Sequence, residues 1–370
     1  MLLGAALVVI TLATAVSCTH NAVESVPIPA DGKTFYGVQL AWESDSPADY
    51  TSRLEKAPMV YGEYVPFPLS TDIKALLQDH VDKIADQGGM LMLTLEPHEG
   101  LNAVTPDAID DLSSELAKYN SRGVAVFVRF AHEMNGSWYA WGQRPSDYVS
   151  AFRSVADGVH QRAPGSVMVW APNYGGGYPF EGGEYLAQPG TDAFADLDTD
   201  NDGDLTMSDD PYDPYYPGDA YVDWVALTNY HWGNSWPWGE NELPEPGQFA
   251  TQLTGTYDGL LGDERDTPNF YSKYAVAHKK PLAIAETSAL YNTSRSDGAS
   301  NYDIKMAWAK QVFAPKIATE FPRLKVLLWF EQRQEEVGTT GVIDWRVTYD
   351  PEILAGYRSV LPSRLIFAEP

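Results

Sequence analysis

VAVFVRFAHE, residues 124 to 133, opens as a near-continuous apolar run and closes on a histidine and a carboxylate. A strand reads this way when helices cover both faces of a parallel sheet and hide it from water. Seven further runs of the same kind flank it: FYGVQLAW (35 to 42), MVYGEYVPF (59 to 67), MLMLTLEP (90 to 97), VMVWAPN (167 to 173), VDWVALTNYH (222 to 231), PLAIAETS (281 to 288) and VLLWFEQ (326 to 332). Helical stretches with recognisable starts lie between them, Ser70 to Gln87 after a Ser/Thr start, Thr105 to Ser121 from a Thr-Pro pair, and Pro145 to Ala163 from a proline. Eight βα repeats from Lys33 onward predict an α/β fold, a (β/α)8 TIM barrel over 33–370. The other arrangement of parallel strands, a doubly wound open sheet, wants a Gly-rich loop after its first strand, and the sequence has none. Active sites of TIM barrels lie at the carboxyl ends of the strands, so the strand list is also a site list: Trp42, Glu96, His98, Glu133, Asn173, Tyr230, His231, Glu286, Trp329 and Glu331.

The chain has 370 residues, 44% hydrophobic and 12% aromatic, with a formal charge of −26. Such a field repels phosphate backbones and anionic lipid headgroups, which argues against nucleic acid as a partner and for a neutral substrate or a bound cation. Eleven Trp and 22 Tyr supply flat apolar faces of the kind sugar rings stack on, although most such rings pack in cores. Cys18 is the single cysteine, so no intrachain disulfide is available. It ends an apolar, small-residue run, Leu2 to Val16, that reads as a secretory signal although no Lys or Arg precedes it, and that is short for a spanning helix. The expected organisation is a signal peptide over 1–18, a linker over 19–32 and the barrel. Ser17-Cys18 also resembles a bacterial lipoprotein box, which would place a lipid anchor on Cys18. A secreted, extracellular monomer is expected.

Residues 174–221, between the fifth and sixth strands, are too long and polar for a simple crossover. Within them DTDNDGDLTMSD follows calcium-loop spacing: Asp198, Asp200 and Asp202 alternate, Gly203 permits the sharp turn, Asp204 offers its carbonyl, and Asp209 falls at the closing position where an EF-hand has Glu. The alternative is a solvated acidic loop, whose carboxylates would repel one another without a cation. A structural calcium is expected, and no organic cofactor.

The string RFAHEMNGSWYAWG, Arg129 to Gly142, places Glu133 at a strand end followed by Trp138, Tyr139 and Trp141. Desolvation among aromatics raises a carboxyl pKa, as a general acid requires; the plainer alternative is a structural Glu133 paired with Arg129. Glu286 ends the seventh strand, where it would face Glu133 across the mouth, and retaining glycosidases use two carboxylates about 5 to 5.5 Å apart. Tyr230 is placed to hydrogen-bond Glu286, Trp329 to lie under the reacting sugar, and Trp232 to build an outer subsite. Glu96 and Glu331 are rival carboxylates. Neither HExxH nor GxSxG is present to support a zinc hydrolase or a serine esterase.

The His-Glu strand end, its Met-Asn-Gly-x-Trp-Tyr-x-Trp-Gly continuation and the Glu on the seventh strand resemble glycoside hydrolase family 26, the β-mannanase family of the retaining clan A, over roughly Lys33 to Leu361. The resemblance implies Glu133 as acid/base and Glu286 as nucleophile, with His132, Trp138, Tyr230 and Trp329 shaping the central subsite. Trp141 and Asn173 are further substrate-binding candidates. The implied activity is a retaining endo-β-glycanase, first a mannan endo-1,4-β-mannosidase. Mixed-linkage β-1,3-1,4-glucan, β-1,3-xylan and non-catalytic glycan capture are the alternatives, because the run Trp138-Tyr139-Ala140-Trp141 departs from the richer aromatic run of many family mannanases.

Overall fold

The computed structural model describes residues 22–234, 238–259, 267–336 and 338–369. The expected signal segment with Cys18 lies outside the described residues. Eight parallel strands, β1 (Thr34–Leu40), β2 (Val60–Pro66), β3 (Met90–Glu96), β4 (Val126–Phe130), β5 (Ser166–Trp170), β6 (Trp224–Thr228), β7 (Leu282–Thr287) and β8 (Leu324–Glu331), pair in chain order, and β1 pairs with β8 to close the barrel. Around them run α1 (Pro47–Leu54), α2 (Thr71–Asp86), α3 (Pro106–Ser121), α4 (Pro145–Arg162), α5 (Asp192–Leu197), α6 (Gln248–Thr254), α7 (Asn301–Val312), α8 (Pro315–Glu320) and α9 (Pro351–Val360). The starts read from sequence hold: the Ser70 hydroxyl accepts from the Ile73 amide, the Thr105 hydroxyl accepts from the Ala108 amide, and Pro145 opens α4.

Strand alternation sorts the side chains into two layers. Met92, Phe127, Val169, Trp224, Ala283 and Leu328 fill the barrel, whereas Tyr36, Leu93, Val128, Leu227, Ile284 and Leu327 face the helices. The described part of the expected linker, 22–32, is no free tether. Val26 is buried in the interior cluster with Val23 packed beside it, and the Val23 amide donates to the Asn120 carbonyl, so this segment seals the barrel floor.

An irregularity on β7 sets the site. Leu227 pairs with Ile284 but Thr228 pairs with Glu286, so Ala285 is an extra residue in the ladder. A bulge of this kind re-aims the side chain that follows it. Ala285 and Glu286 thereby avoid strict alternation, and Glu286 is aimed into the mouth. The Ala285 carbonyl accepts a hydrogen bond from the buried Gln39 amide at 3.0 Å. Room for Gln39 depends on Gly62, where a Cβ would come within 1.6 Å of Gln39 Oε1.

The 174–221 insertion packs against the loop after β4. Gln143 donates to the Pro179 carbonyl and accepts from the Ala187 amide, the Tyr185 amide donates to the Ser137 carbonyl, and the Phe180 ring meets Trp138 edge-on at 5.1 Å. Among the described residues no helix is long and apolar enough to cross a membrane.

Candidate active site

β4 ends earlier than its apolar run suggests, because Ala131 and Glu133 adopt left-handed backbone with φ of 46° and 53°. Non-glycine residues rarely accept that conformation, and their clustering is a mark of functional sites. The Glu133 amide donates to the Ala171 carbonyl of the neighbouring strand end, which holds the turn in place. The Trp138 indole donates to Glu133 Oε2 at 3.1 Å. Burial, and then the charge of Glu286, push the Glu133 carboxyl up to about 7.

Glu286 is 7% exposed, and its two oxygens have different partners. Arg129 donates to Oε1, and the Tyr230 hydroxyl donates to Oε2 at 2.7 Å. Arg129 also donates to the Thr228 hydroxyl at 2.9 Å, and Thr228 is close enough to Glu133 to favour its ionised form. Glu286, Arg129 and Thr228 thus form one hydrogen-bonded chain at the mouth, with Glu133 beside it. The sequence alternative of a Glu133–Arg129 pair is corrected here, since the guanidinium serves Glu286. Tyr64, from β2, lies beside Glu286, and burial followed by that charge holds its hydroxyl well above the usual range. His132 is buried between Tyr64 and Tyr139, at ring distances of 5.8 and 5.1 Å. Burial and the Arg129 charge keep its imidazole well below its usual value, so it is neutral at pH 7.

Other expected residues fall differently. Trp141 is fully buried, donates to the His132 carbonyl at 2.7 Å and stacks under Tyr139 at 4.4 Å. Its place is therefore a support, and Trp138 and Tyr139 are the partly exposed rings. Trp329 is also fully buried, packed on Phe313 and Tyr357 in the helix layer. The platform expectation for Trp329 is corrected: it points out of the barrel, and its neighbour Phe330 joins Tyr230, Trp232 and Trp345 at the mouth. Glu331 accepts from the Val347 and Thr348 amides and the Thr348 hydroxyl, which makes it a buried brace. Asn173 is held by the Asn135 side chain, which accepts from its amide and donates to its carbonyl, both at 2.9 Å. Arg129, Thr228 and Tyr64 were not read as site residues, although all three occupy inward positions two residues from ones that were or that line the interior.

In the acidic loop, Asp198, Asp200 and Asp202 offer oxygens within 4.8 Å of one another, and Gly203 turns the chain with φ 94°. Asp209 stands apart, because its oxygens accept from the Thr199 and Thr206 amides. The Asp204 side chain is likewise outside the group. Three of the expected carboxylates thus lie together, Asp209 ties the loop's ends together, and the expected contribution of Asp204 is its backbone carbonyl. Three hard oxygen donors fit a divalent cation of the calcium type.

A barrel whose mouth carries two neighbouring carboxylates, one with a raised pKa, among half-exposed aromatic rings has the architecture of a glycoside hydrolase. Residues 91–203 match the model of glycosyl hydrolase family 26. Endoglucanase H of Acetivibrio thermocellus is 26% identical over 79% of this chain and 26% of its own length. Mannan endo-1,4-beta-mannosidase A and B of Caldalkalibacillus mannanilyticus is 26% identical over 56% of this chain and 30% of its own length. The chain thus spans between a quarter and a third of these curated relatives. Among solved structures, the family 26 protein GH26A from a Muricauda species superposes with a TM-score of 0.53 at 17% identity, covering 91% of this chain and 92% of the other, which establishes a shared fold.

Proposed function

We propose that the protein is a retaining endo-β-glycanase acting on β-1,4-mannan, exported by the Leu2 to Val16 run. The observation that carries this reading is the pair of carboxylates at the mouth: Glu286 held by Arg129 and Tyr230, and Glu133 beside it, raised by burial and by the Glu286 charge. In the first step protonated Glu133 donates its proton to the glycosidic oxygen while a Glu286 oxygen attacks the anomeric carbon, so the carbon–oxygen bond breaks and a glycosyl ester forms. In the second step Glu133, now ionised, takes a proton from water as the water oxygen displaces Glu286. Arg129 and Tyr230 fix the direction of the Glu286 oxygens, and Trp138 fixes Glu133. Incubation with mannan, galactomannan, mixed-linkage glucan and β-1,3-xylan tests the assignment by reducing-sugar release; release from none of them, with binding kept in gel retardation, would favour a glycan-capture protein. A mixed-linkage glucanase is the second reading, favoured by the longer match to a relative named as an endoglucanase.

Because Glu133 must be protonated to act as the acid and stands at about 7, kcat/KM is expected to fall about tenfold per pH unit above roughly pH 7. A profile flat between pH 6 and 8.5 counts against Glu133 as the donor.

Calcium on Asp198, Asp200 and Asp202 would brace the insertion that holds Phe180 against Trp138. Chelation is expected to lower the melting temperature by about 5 °C, with recovery on calcium and not on magnesium, which prefers a smaller octahedral site. Melting unaffected by EDTA removes the calcium assignment.

A further inference from the structure

We propose that Glu96, with His98 beside it, forms a sugar-binding subsite of the mouth in which the carboxylate accepts hydrogen bonds from neighbouring hydroxyls of the glycan. The inference rests on the glycanase reading above.

Glu96 is the last residue of β3 and faces inward, two residues past Thr94, which pairs with Arg129. Its charge is felt by Tyr139, and it feels Arg129 and Glu286, so it borders the catalytic pair. Buried carboxylates elsewhere in the protein have well-placed donors. Glu63 has the His80 imidazole at 2.7 Å, Glu336 has the Trp345 indole at 2.6 Å, and Glu331 and Asp209 have backbone amides. Glu96 is the exception. Among the described residues no hydrogen bond reaches its carboxylate, and His98 Nε2 stands 3.4 Å away.

A carboxylate taken largely out of water without a hydrogen-bond donor carries a desolvation cost that the Arg129 charge offsets only in part. Burial accordingly pushes Glu96 up to about 7. Two oxygens with several open acceptor positions, beside the half-exposed Tyr139, suit a pair of ring hydroxyls, which donate at the spacing a carboxylate can accept. His98 is half-exposed, with its ring 5.7 Å from Trp141, and stands at the outer edge of the same pocket.

The test compares Glu96→Gln and Glu96→Ala with their parents in two backgrounds. In the Glu286→Ala protein, calorimetry with mannohexaose and with a mixed-linkage glucan hexasaccharide reads binding without turnover. In the active enzyme, KM and kcat are read on whichever polymer is cleaved. Affinity is expected to fall about ten- to a hundredfold for Glu96→Ala and less for Glu96→Gln, with KM rising more than kcat falls. Unchanged thermal melting of Glu96→Gln shows that the loss is not unfolding. Binding and KM within twofold of the parent overturn the subsite and leave the glycanase reading intact. Absence of both binding and cleavage in the parents overturns the two together.

Discussion

On the proposed mechanism Glu286→Ala is expected to abolish glycan cleavage, by at least about 10⁴-fold in kcat, because the substitution removes the atom that would form the covalent intermediate. The protein keeps its aromatic rings and should still bind oligosaccharide. Glu133→Ala has a different signature. A natural sugar alcohol is a poor leaving group, so loss of the proton donor costs about 10² to 10⁴ on polysaccharide. A dinitrophenyl glycoside leaves without a proton, so its glycosyl-enzyme still forms in Glu133→Ala and accumulates, visible as a burst of phenolate. Glu286→Ala gives no burst on either substrate. If the burst appears instead in Glu286→Ala, the two roles are exchanged; if Glu286→Ala keeps more than about one per cent of wild-type kcat, it is not the nucleophile.

The strands were legible because helices cover both faces of the sheet, so each reads as an apolar run with a polar residue where it emerges. Glu133, Glu286 and Tyr230 stand at such points. The errors come from phase within a strand. On β8, Val326 and Leu328 fill the barrel, so Phe330 faces inward while Trp329 and Glu331 face outward. A strict count of two along that strand would have rejected Trp329. The same count fails on β7, where Ala285 is inward and Glu286 nevertheless enters the mouth, because the bulge opposite Thr228 shifts the phase. No local pattern announces that bulge; its supports, Gln39 and Gly62, lie on two distant strands. Arg129 was visible as a charge in an apolar run, but its choice of Glu286 over Glu133 is a matter of three-dimensional distance. Asp209 shows the same limit in the acidic loop: spacing gave it a ligand position, and in the fold its oxygens accept from the Thr199, Asp200 and Thr206 amides.

Arg129→Met carries the second large effect, and it falls on stability as well as on rate. The guanidinium is fully buried and serves both Glu286 and Thr228. Methionine fills similar space but leaves the Glu286 carboxylate with Tyr230 as its remaining donor in a site that is 7% exposed. Breaking a buried ion pair from one side costs about 3 to 5 kcal/mol, because the other charge is left uncompensated. For a chain of this length that corresponds to a fall of about 5 °C in melting temperature. A second substitution separates this cause from simple loss of packing. Replacing the stranded carboxylate as well, in Arg129→Met/Glu286→Gln, removes the uncompensated charge and should restore much of the lost stability, although both variants are inactive. Equal melting temperatures for the single and double variants would mean that Arg129 contributes by packing and not by compensating the Glu286 charge.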